Sequence, residues 1–232
     1  MKKVSIIILF VAAGIFSASA QLPKLNKKEK KEGWKLLFDG QTSSGWKSAN
    51  GNPFPIADWK IENAALTVTP NDKAVDIATE EAFSDFELSL EFRITKGANS
   101  GIKYFVLPNS SLGCEFQIMD DAEHPDAKMG KNGNRLQGGL YDLIPPAPNK
   151  KDKPIGEWNT AKIISNGAHV EHWLNGKKIV SYERGSNEFK DLVAESKYQN
   201  NNKFATSEKS PIVLQDHGNV VSFRNIKIRK LK

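Results

Sequence analysis

Cysteine is nearly absent from this 232-residue chain: Cys114 is the only one, so no internal disulfide can form. It stands inside an apolar-alternating stretch, where a small buried residue is the expected role. A cysteine–histidine enzyme is therefore set aside. Long apolar runs are scarce too, and the one at residues 4–16 is short for a membrane span. With Lys2 and Lys3 before it and Ala18-Ser19-Ala20 after it, it reads as a signal peptide over residues 1–20. No cysteine follows the cleavage signature, so no lipid anchor is expected. The reading is a periplasmic or secreted protein with a mature form starting near Gln21.

Acidic residues are in modest deficit. The formal charge is +6, and loss of Lys2 and Lys3 lowers it by two to +4. Much of the remaining excess lies at the edges, from Lys24 to Lys31 and from Lys227 to Lys232. No aromatic residues interleave with these lysines, so nucleic-acid binding is not expected and the runs read as solvated edges. Residues 21–32 read as a flexible leader before one domain over 33–232, long enough to bury a core.

Helical periodicity is rare, with one short helix expected over residues 188–197, where Phe189, Leu192 and Val193 share a face. Elsewhere period two dominates. In "SDFELSLEFRIT", Phe86, Leu88, Leu90, Phe92 and Ile94 point one way and Glu87, Ser89, Glu91 and Arg93 the other. Further strands are expected at 34–38, 59–69, 101–107, 113–119, 158–165, 168–174, 177–183, 211–215 and 220–229. Asn175-Gly176 between two of them is a strong hairpin signal. These short strands predict an all-β sandwich of antiparallel sheets. The long exception, 120–157, is rich in Gly, Pro, Asn and Lys, and a loop of that length is commonly functional.

Several polar positions break the pattern. In "GCEFQIMDDAEHPD", Cys114, Phe116 and Ile118 take the core face, and Glu115 and Gln117 take the other. A bulge near Met119 would turn Asp120 to join them. Asp120, Asp121, Glu123, His124 and Asp126 crowd oxygen and imidazole groups into seven positions, a composition that suits a divalent cation although the spacing matches no tight fingerprint. In "HVEHWLNG", one histidine is expected wet and one packed. "LQDHG" at 214–218 interrupts a strand with polar groups, Asp216 facing away from Gln215 and His217.

In order along the chain stand "GWKLLFDG" (33–40), "ANSGIKYF" (98–105), "EFQIMDDAEHPDAK" (115–128), "GGLYDLIPP" (138–146), "EWNTAKI" (157–163), "EHWLNG" (171–176) and "LQDHG" (214–218). With these the sequence resembles the secreted bacterial family of 3-keto-disaccharide hydrolases, also called domain of unknown function 1080. Two turns depart from the family pattern: Ala64 and Pro211 stand where glycine is usual. The resemblance implies a concanavalin A-like jelly-roll sandwich and a substrate oxidised at C3 of its sugar ring, a 3-keto mono- or disaccharide glycoside. A C3 ketone acidifies the C2–H, a base removes that proton, and the enolate expels the C1 substituent before water adds back. That chemistry needs a base near C2, charge stabilisation at the C3 oxygen and an acid at the leaving oxygen.

Glu115 is the candidate base or a metal ligand. His217 and His124 are candidates to stabilise the enolate directly or through a divalent cation, with Asp120 as a further ligand. Lys103 and Tyr141 are candidate donors. Gln117, Asn159 and Gln215 suit sugar hydroxyls because amides both donate and accept, and Trp173 or Trp46 offers a stacking face. Two rivals come with this fold. One is a non-catalytic carbohydrate-binding module. The other is a conventional glucanase, in which "EFQIMD" would supply the catalytic strand although Gln117 stands where a carboxylate is needed.

Overall fold

The computed structural model describes residues 21–71, 73–108 and 110–231, so the expected signal peptide lies outside the described residues. A short helix, α1 (Lys27–Lys31), comes first, followed by β1 (Lys35–Leu36), β2 (Trp46–Ser48), β3 (Trp59–Glu62), β4 (Ala65–Val68), β5 (Ile77–Phe83), β6 (Phe86–Ile94), β7 (Asn99–Tyr104) and β8 (Cys114–Met119). After a 3₁₀ turn at Pro125–Lys128 come β9 (Asn159–Asn166), β10 (His169–Leu174), β11 (Lys177–Glu183), α2 (Asn187–Ala194), β12 (Ser210–Leu214) and β13 (Val221–Lys230). Among the described residues these strands form two antiparallel sheets. The eight-stranded sheet runs β11-β10-β9-β6-β13-β4-β3, with β1 on β13, and the five-stranded sheet runs β2-β5-β12-β7-β8.

Period two generates the core. Leu88, Leu90 and Phe92 of β6 turn inward from the larger sheet and meet Ile102, Phe116 and Leu214 of the smaller one, all at most 1% exposed. Phe92 meets Phe116 edge-on at 6.5 Å and Phe86 meets Tyr104 at 6.3 Å, so the two inner faces interlock through aromatic rings. Each fully buried Phe or Leu contributes roughly 1.5–3 kcal/mol. The expected all-β sandwich is the observed fold.

Four local expectations need correction. The leader is not featureless: Asn26 and Glu29 form a capping box at α1, and Glu29 pairs with Lys227 of β13. The helix expected over 188–197 is α2, which ends at Ala194, and α1 adds a second helix to the single one anticipated. The run 59–69 is a hairpin, β3 to β4, whose turn residues Asn63 and Ala64 both take positive φ. Strands β2 and β5 were not legible: "WKS" is too short to show a period, and "IATEEAF" buries its first three residues on both faces.

The long loop after β8 is tied to that strand rather than free. Gly138 N donates to Gln117 O, Gln117 N to Gly139 O, and Tyr141 N to Glu115 O. These bonds cover the open edge of β8 and explain why all six of its residues are buried.

Candidate active site

The outward face of β7, β8 and β12 holds the polar residues that the core cannot accept. Cross-strand register sets Lys103 opposite Glu115 and Gly101 opposite Gln117. Gln215 joins them just past β12, where its N–H donates to Gly101 O. A cavity of about 260 Å³ opens over this face. Asn99, Lys103, Glu115, Gln117, Gln215 and His217 line it from the sheet side. Tyr141 from the long loop, and Lys197 and Tyr198 from the segment after α2, complete the wall.

Glu115 and Lys103 are each only 6% exposed. Burial pushes the Glu115 carboxyl above the ordinary carboxylate range, against the pull of the Lys103 and Lys197 ammonium groups. Burial likewise lowers the Lys197 ammonium, with Glu115 opposing the shift. With its amide nitrogen toward Glu115 and its oxygen toward Lys103, Gln215 donates to Glu115 Oε1 at 3.3 Å and accepts from Lys103 Nζ at 3.2 Å. Lys103 also lies 3.6 Å from Asp76, whose other carboxylate oxygen accepts from Asp216 N. Burial raises Asp76, and Lys103 works against that rise.

Glycine is required opposite the carboxylate. A Cβ on Gly101 would fall 2.0 Å from Glu115 Oε1, so the bare backbone at 101 is the bed on which the Glu115 side chain lies. Gln117 is the other constrained group. Its Nε2 donates to Asn99 Oδ1 at 2.9 Å, while Oε1 is buried and has no protein donor. An unsatisfied buried carbonyl costs about 1–3 kcal/mol, which a ligand hydroxyl in the cavity would recover.

Of the residues anticipated from sequence, Glu115, Lys103, Gln117, Gln215, His217 and Tyr141 converge on the cavity. Tyr141 is placed correctly but is not a free donor. Its hydroxyl donates to Asp126 Oδ2 at 2.7 Å, and burial together with Asp126 pushes the phenol well up. Its ring instead lies under the Lys197 ammonium at 4.0 Å, which holds that lysine over the cavity. His217 stands at the exposed mouth, its ring perpendicular to His124 at 6.1 Å. Asp216 plays the expected structural part, accepting from Val75 N and Gly218 N. Gly218 makes that turn at φ +76°.

Asp120 and His124 do not assemble the expected cation site. The β7–β8 register is regular through Met119, so no bulge turns Asp120 outward. Its carboxylate accepts from the main-chain N–H groups of Gly97, Ala122 and Glu123 and closes the turn after β8. His124 caps the following 3₁₀ turn through Nδ1, and burial followed by His217 lowers its imidazole. Among the described residues no three carboxylate, imidazole or thiolate groups converge.

Asn159, Trp173 and Trp46 are likewise away from the cavity. Asn159 Oδ1 accepts from Lys153 N and Asn175 Nδ2, pinning the end of the long loop. Trp173 lies on the larger sheet, its Nε1 donating to Glu171 and its ring beneath Lys162. Trp46 is buried and donates to Leu37 O. The two histidines of β10 divide as expected. His169 is half-buried, its imidazole raised by Glu183 and Glu171, and His172 is fully buried.

Lys197, Asp76 and Asn99 escaped the sequence reading. Lys197 sat at the tail of an expected helix, and Asp76 preceded a strand that was not recognised. Only Asn99 lay inside a distinctive stretch, "ANSGIKYF".

The model of the 3-keto-alpha-glucoside-1,2-lyase-like domain matches residues 33–229. A 3-keto-disaccharide hydrolase of Bacteroides thetaiotaomicron is 31% identical over 244 residues, covering 92% of this chain and 83% of the relative. A Parabacteroides distasonis structure assigned as a glycosyl hydrolase superposes with a TM-score of 0.82 at 31% identity, covering 91% of this chain and all of that one (100%). A second from the same organism gives 0.64 at 27% identity, with 85% and 99% coverage. A carbohydrate-binding module of Bacillus subtilis, at 12% identity and a TM-score of 0.52, covers 80% of this chain and 96% of its own and shares the fold alone.

Proposed function

Because the chain belongs to the 3-keto-alpha-glucoside-1,2-lyase-like family, a family of carbohydrate-active enzymes, we propose that it cleaves the glycosidic bond of 3-keto-glycosides by elimination. The observation that carries this reading is the buried Glu115 carboxylate set between two ammonium groups, Lys103 and Lys197. A base whose carboxyl is raised by burial accepts a proton more readily at neutral pH than an ordinary glutamate. Positive charge beside it suits the negative charge that develops as the proton leaves.

The step balances as follows. Glu115 takes the C2 proton, and the C2–H electrons form the enolate, whose oxygen at C3 faces Lys103 and Lys197. The enolate electrons then expel the C1 substituent, which takes a proton from water as it leaves, and an unsaturated 2-hydroxy ketosugar remains. Water adding to C1 and a proton returning to C2 complete net hydrolysis. Gln117 Oε1 accepts from a ring hydroxyl, and Gln215 holds Glu115 and Lys103 in register. Export through the segment at 1–20 would put the enzyme where oxidised sugars arrive from outside the cell.

A conventional glycosidase needs two carboxylates flanking the bond, and β8 supplies only one, since Asp120 is committed to main-chain donors. The test compares a 3-keto-glucoside with its parent glucoside, following products by NMR. Cleavage of the ketone far faster than the parent is expected. Equal rates on the two would reject elimination.

A further inference from the structure

A second cavity of about 330 Å³ adjoins the first along the outer face of the smaller sheet. Ser110 and Ser111 line both, so the two cavities are neighbours. Asp76 lines the second cavity while its ion-pair partner Lys103 lines the first, 3.6 Å away. The other contributors include Asn50, Lys73 and Ala74, so the wall offers amide, hydroxyl, ammonium and carboxylate groups and no aromatic ring. Such a wall recognises a polyhydroxylated ligand by hydrogen bonds, not by stacking.

We propose that this second cavity seats the sugar that leaves from C1, making the two cavities a two-ring groove whose bond to be broken lies at the Asp76–Lys103 junction. The inference rests on the elimination reading for the identity of the first ring. Its independent support is the adjacency of the cavities and the placement of the Asp76–Lys103 ion pair at their boundary. Asp76 has one oxygen committed to Asp216 N. The other, toward Lys103, is left for a hydroxyl of a bound disaccharide.

Asn50 is the probe of choice. It is exposed, lines only the second cavity, and its side chain serves only a local turn, with Oδ1 accepting from Asn52 N. Asn50→Trp fills the space sterically without entering the Glu115 cavity, and Asn50→Ala removes one amide. The readout is the ratio of kcat/KM for a 3-keto-disaccharide to that for methyl 3-keto-glucoside, whose leaving group is too small to use the second ring site. Asn50→Trp is expected to lower this ratio at least tenfold, and Asn50→Ala about threefold. A ratio unchanged in both variants, with folding verified by circular dichroism, overturns the subsite. Failure of the wild type to cleave either ketosugar would instead reject elimination. Binding then decides the subsite by itself. Saturation transfer from the protein to free glucose that is lost in Asn50→Trp supports it, and transfer unchanged by that variant overturns it.

Discussion

Lys103 faces Glu115 across β7 and β8, and one step along each strand Tyr104 faces Cys114. All four side chains are buried, yet the two pairs live in different chemistry. The Tyr104–Cys114 side turns into the core, where Tyr104 meets His172 Nε2 at 2.5 Å and Tyr182 at 3.1 Å, and His172 Nδ1 reaches Gly138 O. Tyr104, Tyr182 and His172 are all paired with protein groups there. Burial pushes the Cys114 thiol up to about 12 and the His172 imidazole down to about 4, so both stay neutral. The Lys103–Glu115 side opens onto a cavity and sets acid against base, with one buried oxygen, on Gln117, still unpartnered. Burial is nearly as deep there, with Lys103 and Glu115 at 6% exposure against 0% for Tyr104 and Cys114. What separates a structural cluster from a reactive one is access to a ligand and ionisable groups of opposite sign side by side.

Four changes test that contrast. The largest effect is expected from Glu115→Gln, which keeps shape and removes the base, lowering kcat on a 3-keto-glucoside by roughly 10²–10⁴. Loss of C2 proton exchange with deuterated solvent should accompany it. A variant that exchanges and cleaves like the wild type would move the base to His217. The same substitution should raise thermal stability above neutral pH. A carboxyl raised in the folded state contributes stability that is present below its unfolded value and lost as pH rises through the folded one. The acid limb of the wild-type pH–rate profile should correspondingly rise at a pH above the ordinary glutamate range, as Glu115 must lose its proton to act.

On the core side His172→Phe should do the reverse. A histidine held neutral by burial lowers stability as pH falls from the ordinary imidazole value of 6.5 to about 4, because only the unfolded chain takes up the proton. Denaturant titrations against pH should lose that acid slope in the variant. At neutral pH the unpaired Gly138 carbonyl and the lost Tyr104 hydrogen bond should cost on the order of 3 kcal/mol, with kcat per folded molecule close to wild type. A large fall in kcat would mean that the two faces are coupled.

Gly101→Ala probes the bed beneath the carboxylate. The added methyl displaces the flexible end of Glu115 rather than any backbone, so a loss of about 10- to 50-fold in kcat is expected with little change in melting temperature. Cys114→Ala, next to Glu115 in sequence, should give the smallest effect. About 1 kcal/mol of stability goes with the lost packing, and activity is retained.

Much of this was readable in the chain itself. Alternation in β6 and β8 named the core face, because a strand exposes its residues to two environments in strict turn, and that alone put Glu115 and Gln117 opposite Cys114 and Phe116. The same rule separated Asp216 from Gln215. Composition could not say which oxygen-rich residues meet. Asp120 and His124 looked like ligands because their side chains can bind a cation, but turns also need acceptors and caps, and the fold used them there. Asn159 and Trp173 carry sugar-binding chemistry at positions that register assigns to loop anchoring and to the far sheet. Lys197 reaches the Glu115 cavity, and Asp76 the neighbouring one, only because the chain after α2 and the edge before β5 fold over the same sheet face. Period two is a local property that each strand carries in its own residues. The company a carboxylate keeps is fixed by sheet order and loop path, and those emerge only when distant segments share one core.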